Sequence, residues 1–158
     1  MRIGIIAASA VAIVAIGSGI VALQWLDASA GEALFPYDDP VAAASGKVLY
    51  EDNCASCHGA DLAGQPDWQI PDQDGFMPAP PHDKTGHTWH HPDRLLFEIT
   101  KFGTEAYVGG TYKSNMAGFD GTLSDEQILA TLAYIKSTWS ARLIETHNRV
   151  TANSIDRN

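Results

Sequence analysis

The chain has 158 residues, with 10 basic and 19 acidic side chains and a formal net charge of −9. That length suits one domain with appendages. The acidic balance argues against nucleic acid as a partner and for a well-solvated surface.

Residues 3–23, IGIIAASAVAIVAIGSGIVAL, carry no charged side chain. About 20 apolar residues cross a bilayer core of about 30 Å, so the run predicts a transmembrane signal-anchor helix within residues 1–23. Arg2 precedes it, and no Lys or Arg follows until Lys47. The positive-inside rule then leaves the N-terminus in the cytoplasm and the remainder outside. Trp25 stands where an interfacial anchor would. Ala8 with Ala12, and Ala15 with Gly19, have the spacing of small residues that lets helices pack in membranes. The alternative is a cleaved signal peptide, with ASA at 28–30 as the cleavage site. Against it, the run exceeds an apolar region of roughly 7–15 residues, and only one arginine precedes it. Both readings deliver the domain to an extracytoplasmic space, that of a bacterial periplasm.

Residues 24–40 hold Pro36, Pro40, small residues and acids, and are expected to be a linker. Residues 41–51 are expected to form a short helix. It leads into NCASCHG at 53–59, which contains both cysteines of the chain. A thioredoxin-like redox pair would need a preceding strand, which is absent from the pattern. A zinc site would need further soft ligands, and no other cysteine exists. Cysteines at i and i+3 share a helical face, so Cys54 and Cys57 can each bond a vinyl group of one porphyrin. His58 then offers its imidazole to the iron. C-x-x-C-H is the pattern of covalent haem attachment.

From 59 to 86 the prolines at 66, 71, 78, 80 and 81 predict a long loop. A loop of that length in a small domain is expected to cover something. HPDRLLFEITKFG predicts a helix whose apolar face is Leu95, Leu96, Ile99 and Phe102, with Gly103 as its stop. A Gly-rich loop follows. The next helix starts at Ser124, with Gln127 completing a capping box. Ile128, Leu132, Ile135 and Trp139 form its apolar stripe. No alternating strand pattern is present. Residues 140–158 are polar and are expected to be a tail that prolongs the helix and then frays.

SGKVLYEDNCASCHG resembles the opening of class I cytochromes c, and the likeness extends over residues 41–139. It implies an all-α, class I cytochrome c fold, here following an N-terminal transmembrane helix, with one covalent haem c per chain. It implies that Gly46 meets Tyr134 where the first and last helices cross, with Tyr50 adjacent. It places a methionine ligand at Met116, in SNMAGF, opposite His58; Met77 is the other methionine candidate. A carbonyl at Pro80 or Pro81 is expected to accept the remaining N–H of His58.

His82, His87, His90 and His91 are competitors for the sixth position, and imidazoles also suit copper or zinc. Otherwise they cap turns or bond haem propionates, for which Trp89 and Arg94 are further candidates. With both axial positions filled, the resemblance implies one-electron transfer and no catalysis by this chain. The partners would be a quinol-oxidising complex and a terminal oxidase, reductase or photosynthetic reaction centre. Alternatives are a fixed haem subunit of a membrane redox enzyme, or a five-coordinate haem that reacts with or senses a gas.

Overall fold

A computed structural model describes residues 34–110 and 112–155. The apolar run 3–23 and residues 24–33 of the expected linker lie outside the described residues. Among the described residues no helix is long and apolar enough to cross a membrane.

The chain is mostly helical. Helix α1, Pro40–Asn53, begins with proline in its first turn, and Asp39 caps it by accepting from the N–H groups of Val41 and Ala42. Proline lacks the donor that a first turn leaves unpaired, and the capping carboxylate satisfies others. Helix α2, Ala55–His58, is one turn that continues from Cys54. Helices α3, Asp93–Phe102, and α4, Thr104–Val108, are separated by Gly103 alone. Helix α5, Asp125–Ser137, carries the expected capping box of Ser124 and Gln127. Helix α6 spans Ala141–Ile155. Two strands of two residues, β1, Phe76–Met77, and β2, Lys113–Ser114, pair in parallel. This pair qualifies the all-α expectation: it stitches two long loops together without an alternating pattern.

The crossing of α1 and α5 organises the core. A Cβ built on Gly46 would lie 1.9 Å from the Ala130 carbonyl oxygen and 3.0 Å from Tyr134 Cβ. Only a residue without a side chain allows that backbone approach. Tyr50 is fully buried one turn later, its ring 5.5 Å from that of Tyr134. The expected stripe Ile128, Leu132, Ile135 and Trp139 lies entirely in the core.

Three expectations are corrected. Residues 34–40 are not all linker: Phe35 is a core residue, 2 % exposed. The buried line of α3 is Asp93, Leu96 and Thr100, while Leu95 and Ile99 are half-buried and Phe102 is 50 % exposed. The tail is a packed helix through Ile155, separated from α5 at Thr138–Ser140.

One buried carboxylate explains all three. Asp93 Oδ2 accepts from the backbone N–H of Leu34 at 2.7 Å and of Phe35 at 3.3 Å. Its Oδ1 accepts from Thr151 Oγ1 at 3.1 Å, and Thr151 Oγ1 also accepts from the Asp93 N–H at 3.1 Å. Lys136 Nζ lies 3.7 Å and His147 Nε2 3.3 Å from Asp93 Oδ1. Phe35 stacks on His147, and the Lys136 ammonium sits over the rings of Tyr37 and Phe35. Buried charges need such partners, since an unpaired ion inside a protein is costly. The rotation of α3 that buries Asp93 is also the one that exposes Phe102.

Gly46→Ala should destabilise the haem-loaded protein by about 3 kcal/mol in denaturant unfolding, because the crossing cannot absorb a methyl group. His147 supplies a second expectation. Burial pushes it down to about 4, opposed by Asp93 and reinforced by Lys136. Unfolded, an imidazole protonates near its ordinary value of about 6.5. The unfolded state therefore binds more protons between these values, and stability falls as pH falls from about 6.5 to about 4. His147→Phe should remove about 3 kcal/mol of that fall. An unchanged slope of stability against pH would contradict the assignment.

Candidate haem site

The C-x-x-C-H motif sits where α1 gives way to α2. Cys54 closes α1, its N–H donating to the Tyr50 carbonyl at 2.8 Å, and the N–H groups of Cys57 and His58 return to the Cys54 carbonyl. Cys54 is half-buried and Cys57 exposed. Burial, then the neighbouring Cys57, pushes the Cys54 thiol up to about 11.

His58 is 6 % exposed. Its Nδ1 lies 2.8 Å from the Pro80 carbonyl oxygen. A carbonyl only accepts, so the proton is on Nδ1 and the Nε2 lone pair is free for a metal. Burial lowers the His58 pKa, with the Pro80 bond acting in the opposite direction. The expected proline-loop carbonyl is thus that of Pro80.

Two loop segments hold that carbonyl in place. The N–H of Gly64 donates to His58 O, that of Gln65 to Ala79 O, and that of His82 to Leu62 O, each at 2.8 Å. The Gln65 side-chain oxygen accepts from the Ala79 N–H at 2.7 Å. A Cβ on Gly64 would fall 2.5 Å from Pro81 N, and the residue's φ is +69°. Glycine serves both the close approach and the left-handed backbone. Tyr50 Oη donates to Gly59 O at 2.8 Å, tying the start of this loop to the helix crossing.

Met116 follows β2, and its N–H donates to Ser114 Oγ at 3.1 Å. Thr104 Oγ1 donates to Met116 Sδ at 3.4 Å. A thioether sulfur has a second lone pair, which stays free for a soft metal contact. Met116 lines a cavity of about 580 Å³ bordered by Phe102, Ala106 and Ala117. Met77 pairs with Ser114 across the strands, so the β1–β2 contact brings both candidate methionines to one region.

The four histidines of the cluster diverge. His82 stacks on His58, with ring centroids 4.1 Å apart and 22° between planes. It thus belongs to the His58 side of any iron and is unsuited to the opposite position. His87 stacks on Trp68 and meets His91 edge-on, while His90 stacks on Trp89. Among the described residues no group of three or more His, Cys, Asp or Glu is arranged to hold a metal ion. Arg94 pairs with Glu98 one turn along α3, and its side chain is 80 % exposed. This does not support a propionate role for it.

The residues present fit a haem. The Trp89 indole N–H and His87 Nδ1 are buried without a hydrogen-bond partner among the described residues. Buried polar atoms normally have partners, so orphans of this kind suit the carboxylates that a porphyrin carries. His58 offers one unprotonated nitrogen, and Cys54 and Cys57 precede it at the attachment spacing. Sequence reasoning proposed Trp89 but gave His87 no separate role; its stack on Trp68 joins positions 19 apart and has no local signature.

Comparison with known proteins agrees with this geometry. The family model for cytochrome c matches residues 43–139. The chain belongs to the cytochrome c family, whose domain carries covalently bound haem c. It is a haem c electron-transfer protein. The cbb3-type cytochrome c oxidase subunit FixP of Bradyrhizobium diazoefficiens is 26 % identical over 99 residues, covering 61 % of this chain and 30 % of that protein. The chain therefore matches under a third of that relative's length. No solved structure gives a significant match.

Loss of either cysteine should leave a single thioether and shift the reduced pyridine derivative's α-band to the red. Cys54→Ala combined with Cys57→Ala should release all colour into acid acetone. Haem that stays with the polypeptide of the double variant would refute attachment at these residues.

Proposed function

We propose that the chain is a mono-haem cytochrome that passes single electrons between membrane complexes. His58 and Met116 are its two axial ligands, and Cys54 and Cys57 hold the porphyrin. The observation that carries this reading is the His58 tautomer: with its proton on Nδ1 and bonded to Pro80, the imidazole is set to ligate through Nε2. Haem c supplies an iron centre that gains and loses one electron, and Met/His ligation raises its potential.

The chain's own residues perform three tasks. The two thiols fix position. His58 and Met116 would hold the iron, which would leave no position for a substrate. The loop segments around Gly64 and Pro80 are bonded to one another and hold the carbonyl that fixes the imidazole's tautomer. The buried polar atoms of Trp89 and His87 that lack a partner among the described residues support a carboxylate-bearing group lying near them.

The second reading is a fixed haem subunit of a membrane oxidase, and the FixP relative favours it. In either case residues 1–23 are proposed to anchor the domain to the inner membrane, with the haem in the periplasm. A soluble periplasmic form, after cleavage near Ala30, is the alternative. Quinol-oxidising complexes and terminal oxidases, reductases or reaction centres are the proposed partners. Purification from native membranes in mild detergent separates carrier from subunit: a carrier migrates alone, a subunit with other chains. Recovery in the soluble periplasm with an N-terminus near Gly31 would show a cleaved leader.

Met116→Ala should abolish the weak red-edge absorption of a thioether–iron(III) bond and lower the potential. Met77→Ala should retain both. The reverse pattern would transfer the ligand role to Met77.

A further inference from the structure

His82 lies outside the attachment motif, and the proposed electron transfer gives it no task. It is nevertheless held from several sides. Its backbone N–H donates to Leu62 O at 2.8 Å. Its carbonyl accepts from Trp139 Nε1 at 2.7 Å. Its Nδ1 is 2.9 Å from Thr88 Oγ1, and Thr88 Oγ1 donates to the Pro81 carbonyl at 3.4 Å. Thr88 Oγ1 thus stands between the His82 ring nitrogen and the Pro81 carbonyl, within bonding distance of both.

The contacts close into a ring. His58 donates to Pro80, Pro80 leads through Pro81 to His82, and His82 stacks back on His58. Thr88 braces the far side by bonding both Pro81 and His82. The single hydrogen bond from His58 to Pro80 fixes where Nδ1 sits. It leaves the ring free to swing, because the last torsion of a histidine side chain is soft. A nearly parallel neighbour 4.1 Å away removes that swing, since tilting drives one ring edge into the other. A leucine at this position would fill the space but would make no bond to Thr88 and offer no flat face.

We infer that His82 is a positioning residue that fixes the plane of the His58 imidazole. The inference rests on the reading of His58 as an iron ligand. The plane of an axial imidazole selects which iron orbital its π electrons overlap, and so how unpaired spin spreads over the porphyrin. A braced plane also keeps the ligand in one geometry through both oxidation states.

The test is proton NMR of the oxidised, haem-loaded full chain, in which the order of the hyperfine-shifted haem methyl resonances reports the axial ring plane. His82→Leu should change that order, and Thr88→Val, close to isosteric, should change it in the same sense. His82→Phe, which restores a flat face, should recover the native order more closely than His82→Leu. Native order in a folded His82→Leu or Thr88→Val protein would overturn the inference while leaving His58 as ligand. Absence of hyperfine-shifted axial imidazole resonances in the unaltered protein would overturn both.

Discussion

The hydrogen bond from His58 Nδ1 to the Pro80 carbonyl is the constraint on which the site depends. It spans 22 residues and fixes a buried imidazole in the tautomer that can bind a metal. Bonds between residues 62–65 and residues 79–82 hold that carbonyl in place. Gly64 admits the proline backbone, Gln65 bonds Ala79, and His82 bonds Leu62. The helix crossing at Gly46 supplies the rigid base, since Tyr50, buried beside it, holds the Gly59 carbonyl. A ligand carried on a loop gains fixed geometry only if the loop is itself bonded, and here it is.

A second buried centre lies around Asp93 and serves the chain ends. It joins residues 34–35, α3, α5 and α6 through one carboxylate. The family match ends at residue 139, so α6 is an addition docked onto the cytochrome c domain. Its docking face combines Leu143 and Ile144 with the buried His147 and Thr151. Breaking such a cluster by removing one member costs far more than its net contribution, because the remaining charges stay buried. The proposed anchor would join the domain just before Leu34, at a point pinned to α3.

Much of this was legible in the sequence because it rests on local patterns. The attachment motif, the capping box at Ser124 and the stripe of α5 each use a fixed spacing that local geometry dictates. Gly46 and Tyr134 were placed by resemblance, and the structure joins them. Several of the misses share one physical cause, which is burial of polar groups. Helix α6 presents His147 and Thr151 to the interior beside Leu143 and Ile144, so polar residues interrupt its apolar face. Asp93 opens α3 and is also a fully buried hub. Phe35 looked like part of a linker because its partner His147 is far away in sequence. The β1–β2 pair is too short for alternation to show. The stack of His82 on His58 depends on loop closure, which no local period reports.

The central claim is that both axial positions are filled by this chain, so the haem conducts electrons and binds no small ligand. Exposure of the reduced protein to carbon monoxide tests it most directly. The account predicts a low-spin spectrum that carbon monoxide leaves unchanged. A carbon monoxide adduct formed at neutral pH by the folded, unaltered protein would show an open iron position and contradict it.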